Sequence, residues 1–113
     1  MSIPRWARLV FATATVVLAH SAARADDPTF ELTIRNHRFE PAELQIPANT
    51  KVKLIVKNTD TTSEEFDSAE LRREKVIAGG QQVVIFLGPL APGTYNFIGE
   101  FHPDTAHGRV VAK

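Results

Sequence analysis

Residues 44–58 read Leu44-Gln-Ile-Pro-Ala-Asn-Thr-Lys-Val-Lys-Leu-Ile-Val-Lys-Asn58, and this stretch decides the fold class. Leu44 and Ile46 alternate with polar neighbours. Pro47-Ala48-Asn49 then breaks the chain. Beyond the break, Val52, Leu54 and Val56 alternate with Lys51, Lys53, Ile55 and Lys57. A period of two sends successive side chains to opposite faces, which is the signature of a half-buried strand and not of a helix. Moving outward, Phe30, Leu32 and Ile34 repeat the pattern, Gln82 to Leu87 is a short β-branched run, Tyr95 to Phe97 alternates again, and Val110 and Val111 come near the end. Turn signals bound these runs: Pro41, Asn58-Thr59-Asp60, Gly79-Gly80, Gly88-Pro89 and Pro92-Gly93. Short strands at this spacing predict an antiparallel β-sandwich, with Gly79-Gly80 as a hairpin turn. The charged segment from Thr61 to Lys75 supports two readings. Thr62 with Glu65 fits a capping box that would start a short helix. Alternatively, Glu65 to Ser68 is a strand and Ser68 to Arg72 a turn.

Residues 1–25 carry the marks of a secretory signal peptide. Arg5 and Arg8 precede an apolar run from Leu9 to Ala19, and Ala23-Arg24-Ala25 supplies a small-x-small cleavage site. About eleven apolar residues fall short of the roughly twenty that a membrane-spanning helix needs. Residues 26–113 are then expected to form one exported, periplasmic domain. The whole chain balances 13 Lys and Arg against 13 Asp and Glu. Taking away Arg5, Arg8 and Arg24, with no acid among them, leaves 10 against 13 and a formal charge of −3. That excludes the dense basic face a nucleic-acid partner requires. The chain has no cysteine, which excludes disulfides, zinc–thiolate and iron–sulfur sites, and a catalytic thiol. No Gly-x-Ser-x-Gly elbow or phosphate-cradling glycine loop is present, and the domain is too small for a glycosidase cleft.

Three stretches carry a family resemblance. They are Phe39-Glu-Pro41; Leu44 to Asn58; and Leu90-x-Pro-Gly-x-Tyr-x-Phe97 followed by His102 to Gly108. In this order they resemble the cupredoxins, which implies a single Greek-key cupredoxin-like β-sandwich of seven or eight strands. In the ligand loop of that family a strand ends in Tyr-x-Phe-x-Cys, a histidine follows three residues later, and an axial ligand precedes a glycine. Here Gly99 stands in the cysteine position, His102 in the histidine position, and His107 beside Gly108 near the axial one. Glu64 to Ser68, Glu74 to Ile77 and Gly99 to His102 further resemble the periplasmic branch associated with high-affinity iron permeases.

The resemblance implies a metal-bearing end. The family's first histidine follows the strand-ending Asn by about six residues; counted from Asn58 this reaches Glu64, or Glu65 with one insertion. Glu65 is favoured, because Phe66 would then fill the buried position after the ligand. The loop before Phe39 brings His37 to the same end. The metal-ligand set is therefore Glu65, Glu100 and His102, with His37, His107 and Glu64 as further members. A blue-copper site needs a thiolate; carboxylates and imidazoles suit iron, Mn(II) or Cu(II) instead, and the cofactor expected is a copper or iron ion. The implied function is metal handling in iron uptake, beside a periplasmic iron-binding protein and a membrane iron permease, including acceptance of an electron from ferrous iron. Two other functions fit the same residues: a metal-free docking module, and a copper chaperone. The second is weakened by the lack of Cys and by a single Met, since Cu(I) prefers soft ligands.

Overall fold

A computed structural model describes residues 27–113, and the expected leader at residues 1–25 lies outside them. The described residues form nine strands: β1 (Thr29–Arg35), β2 (Arg38–Glu40), β3 (Glu43–Ile46), β4 (Val52–Asn58), β5 (Glu64–Ser68), β6 (Arg73–Ile77), β7 (Gln82–Leu87), β8 (Gly93–Gly99) and β9 (His107–Ala112). This is an all-β sandwich, with nine strands where seven or eight were expected. One addition is the three-residue β2. The other lies in the segment that supported two readings, where Glu64–Ser68 and Arg73–Ile77 pair as an antiparallel hairpin. Period-two burial wins over the capping box there: Glu64, Phe66 and Ser68 all lie inside.

The sheets are ordered β2-β1-β4-β7 and β3-β9-β8-β5-β6. Both are mixed, not purely antiparallel as expected, because β1 runs parallel to β4 and β3 parallel to β9. Parallel neighbours cannot be joined by a tight turn, so no local turn signal announces them. Gly79-Gly80 does not close a hairpin either, since β6 and β7 belong to different sheets. Its glycines are nevertheless required. A Cβ at Gly79 would sit 2.1 Å from the carbonyl oxygen of Thr61, and Gly80 holds φ at +73°.

The core is filled by the alternating residues of both sheets, among them Leu32, Ile34, Leu44, Ile46, Val52, Leu54, Val56, Ile85, Leu87 and Val110. Three phenylalanines cross-link the sheets near one end. Phe39 meets Phe97 and Phe66 edge-on, at centroid distances of 5.0 and 6.2 Å, and Phe66 lies over Phe97 at 4.9 Å. Such pairs add about 0.5–1.5 kcal/mol each beyond their buried area. This cluster is the floor on which the polar residues at that end are placed.

Candidate metal centre

The site is built from three segments. The first is the turn between β1 and β2. Asn36 and His37 both adopt positive φ, 52° and 58°, between the paired residues Arg35 and Arg38. That is the two-residue turn whose twist matches a hairpin. Asp60, just past β4, fixes it from below by accepting the Asn36 N–H on Oδ1 at 2.8 Å and the His37 N–H on Oδ2 at 3.0 Å. Thr105 donates to the His37 carbonyl at 2.5 Å and ties the turn to the β8–β9 loop. Burial raises the Asp60 pKa, but the hydrogen bonds from His37 and Asn36 and the nearby His37 and His102 rings outweigh it, and the net shift is downward.

The second segment is the start of β5. Glu64 shares the inward face with Phe66 and is 1% exposed. Its Oε1 accepts the N–H of Glu65 at 2.9 Å and of Phe101 at 2.9 Å. Its Oε2 lies 2.6 Å from Nδ1 of His102. These are the carboxylate oxygen and the ring nitrogen that the two residues turn toward each other. A carboxylate this close to an imidazole can orient the ring or share an ion with it.

The third segment is the loop from Gly99 to Ala106. It is closed by hydrogen bonds from the Gly99 N–H to the Ala106 carbonyl (2.7 Å), from the His102 N–H to the Gly99 carbonyl (3.0 Å) and from the Ala106 N–H to the His102 carbonyl (2.8 Å). The His102 ring stacks on His37 with centroids 3.6 Å apart and planes 15° from parallel. Gly99 is the residue that makes room. A Cβ there would lie 2.5 Å from the Ala106 Cβ and 2.7 Å from the Glu64 Cδ. The Glu64 carboxyl therefore fills the space that a side chain at position 99 would enter.

Of the six predicted ligand residues the structure gathers three, His37, Glu64 and His102, with ligand atoms all within 4.8 Å of one another. The structure sets Glu64, not the favoured Glu65, in this cluster. Strand alternation sends Glu65 to the opposite face, where its neighbours are Asp67 and Glu74. Glu100 also lies outside the cluster: Phe66 pairs with Gly99, which sets Glu100 beside Glu65 on the outward face. His107 is exposed and faces out of β9, because the adjacent Ala106 takes the buried position. Burial, with repulsion from Glu74, Asp67 and Glu100 and a shared contact with Glu74, pushes the Glu65 pKa up. Asp60 was missed by the sequence reading, because its role depends on backbone N–H groups 24 and 23 residues away in the chain.

The donor set does not fit a blue-copper centre. That centre needs a thiolate, the chain has no cysteine, and the space at position 99 is taken. Two imidazoles beside a buried carboxylate do fit a copper(II) or iron ion of the nitrogen–oxygen type.

Three comparisons place these features among known proteins. The family model for the cupredoxin-like domain matches residues 8–112. An uncharacterized protein of Rickettsia prowazekii (strain Madrid E) is 43% identical over 81 residues, covering 72% of this chain and 65% of that protein. The chain thus spans less than two thirds of that relative's length. Among solved structures, auracyanin A, a blue copper protein of Chloroflexus aurantiacus, superposes with a TM-score of 0.65 at 17% identity, covering 75% of this chain and 98% of its own. Amicyanin from Paracoccus versutus gives 0.60 at 16% identity over 79% and 83%. The purple cupredoxin of Nitrosopumilus maritimus gives 0.58 at 19% identity over 74% and 98%. At these identities the structures share the fold.

Proposed function

The chain belongs to the cupredoxin-like domain family, and from that premise we propose that it is an exported metal-binding protein that holds a copper(II) or iron ion at His102, His37 and Glu64 and serves iron uptake. The observation that carries this reading is the buried Glu64 carboxylate, set against His102 and His37 in the space left by Gly99. Loss of the thiolate alone would suggest an empty frame. Here the vacated space is refilled by a hard anionic oxygen, which shifts the preference from soft to hard ions.

The residues divide the work. His102 faces Glu64 through Nδ1, and His37 is held alongside by the Asp60-braced turn. Glu64 supplies the buried negative charge, and the loop 99–106 holds the His102 ring in place. When bound, the ion supplies a one-electron acceptor, and hard oxygen ligands favour the trivalent over the divalent state of iron. The resemblance to the iron-permease-associated branch supports a place beside a periplasmic iron-binding protein and a membrane iron permease. Export is supported by residues 1–25, and among the described residues no helix is long and apolar enough to cross a membrane.

The test is calorimetric titration with Cu(II) and with Fe(II) under controlled oxygen. The expected result is one ion per chain, with affinity lowered at least a hundredfold by His102→Ala. Binding no tighter than millimolar by either ion would refute the metal reading. One observation favours a second reading, a metal-free docking module: Glu64 already has hydrogen-bond partners for both oxygens, so the site is closed without an ion. That reading predicts the refuting titration.

A further inference from the structure

Strand β7 ends its sheet, and β4 is its one paired strand among the described residues. The Asn58 N–H donates to the Gln81 carbonyl at 2.8 Å, and in an antiparallel pair such bonded positions recur at every second residue. Val83, Ile85 and Leu87 therefore turn their backbone groups to β4. Those of Gln82, Val84 and Phe86 turn to the open edge. Arg73 of β6 caps one of them, donating from Nε to the Phe86 carbonyl at 3.1 Å. Gln82 and Val84 remain as a template on which a further strand can pair.

The side chains along this edge are apolar on one side and basic on the other. Val84 and Phe86 are 43% and 46% exposed, and Val84 pairs with the half-buried Ile55 on the same outward face. Lys53 stands opposite Phe86 and Lys57 opposite Gln82, while Lys51 Nζ lies 4.8 Å from the centre of the Phe86 ring. Strand β6 ends the other sheet. Between the two edges lies a groove of about 270 Å³ lined by Arg73, Glu74, Lys75, Val84, Ile85 and Phe86. Arg73 and Lys75 turn to the inner side of their sheet, because they pair with the buried Ser68 and Phe66.

Charge identifies the occupant. Residues 26–113 carry 13 Asp and Glu against 10 Lys and Arg, yet this region gathers Lys51, Lys53, Lys57, Arg73 and Lys75 against Glu31 and Glu74. Glu31 is taken by Lys57 at 2.9 Å. Among the described residues neither Lys53 nor Lys75 forms an ion pair. A second copy of this edge would bring like charges together, and a membrane surface offers no backbone partner to Val84. We propose that the β7 edge docks an extended acidic segment of a partner protein as an added strand. On one face of that strand, apolar side chains lie beside Val84 and Phe86; on the other, carboxylates reach Arg73 and Lys75. In strand addition the backbone bonds supply affinity and the alternate side chains supply specificity. This surface is separate from the histidine cluster and does not depend on any ion being bound there.

The probe is an acetylated octapeptide of alternating valine and aspartate, with a counterpart that carries lysine in place of aspartate. Each is titrated into the full chain and followed by fluorescence anisotropy and by NMR of the backbone amides. Micromolar binding of the aspartate peptide is expected, with slowed hydrogen exchange at Gln82 and Val84. The lysine peptide should bind at least tenfold more weakly, and Lys75→Glu should narrow or invert that preference. Val84→Pro removes an N–H that β4 does not use, a change an edge strand tolerates, and should weaken binding at least tenfold. Lys75 is exposed, so its variant keeps the test decisive if Val84→Pro disturbs folding. Binding no tighter than millimolar, or binding that neither variant weakens, would overturn the proposal. So would a concentration-dependent doubling of mass that Val84→Pro abolishes, which assigns the edge to a second copy. Attachment to phosphatidylglycerol vesicles without peptide binding would also overturn it, in favour of a membrane surface.

Discussion

Replacing Gly99 with alanine tests whether Glu64 occupies the space at that position. An unstrained carbon–carbon contact lies at about 3.5–4.0 Å. The added Cβ would meet the Ala106 Cβ at 2.5 Å, the Glu64 Cδ at 2.7 Å and the Glu64 Oε1 at 3.0 Å. Ala106 cannot retreat, because it is fully buried and its carbonyl and N–H are bonded to Gly99 and His102. The Glu64 carboxyl must give way, and moving it strains its bonds to Phe101 and His102. Overpacking of this kind costs roughly 2–3 kcal/mol. In a domain of this size that lowers the melting midpoint by roughly 10–20 °C. Urea denaturation followed by circular dichroism measures it, with Glu64→Ala and the double variant completing a cycle. Without the carboxyl, Gly99→Ala should cost at least about 1 kcal/mol less, a coupling expected only of groups in contact. A Gly99→Ala variant within about 0.5 kcal/mol of the parent, or costs that add to within about 0.3 kcal/mol, would refute the packing described here.

Asp60→Ala leaves the Asn36 and His37 N–H groups without their acceptor, so it should lower stability by about 1–3 kcal/mol; it should also weaken Cu(II) binding, since His37 loses its brace, and an unchanged affinity would remove His37 from the site. The lowered Asp60 pKa adds a pH signature: its contribution is present above 3.8 and lost as the pH falls through its lower folded value, a loss that urea titrations should show in the parent and not in Asp60→Ala. Glu65 has the opposite sign. Its folded pKa is raised above 4.5, so its contribution is full below 4.5 and is lost as the pH rises through the folded value. In metal-free buffer, Glu65→Gln should therefore gain on the parent as the pH rises above 4.5, and parallel pH profiles would contradict the burial argument.

Much of the fold was legible because period-two burial is written directly into residues such as Val52, Leu54 and Val56. The ligand loop was legible in its spacing, since Tyr95, Phe97, Gly99 and His102 keep their places in the pattern. The topology was not, because the parallel neighbours β1 and β4 are set by contacts distant in the chain. The choice of Glu65 came from counting an insertion. Strand parity instead sets Glu64 on the inward face, since Glu64 and Phe66 must share a face if Phe66 is in the core. The same parity turns His107 outward once Val110 and Ala112 face inward. Asp60 was invisible for a different reason: its role depends on two backbone N–H groups in a distant hairpin, and sequence spacing does not encode that approach.

The most direct measurement is pulsed EPR of the Cu(II)-loaded protein, read for coupling to imidazole nitrogens. Two coupled imidazoles are expected, with one lost in His37→Ala and one in His102→Ala, and with no intense visible thiolate band. A spectrum without imidazole coupling, or one that both variants leave unchanged, would contradict a metal centre at His37, Glu64 and His102.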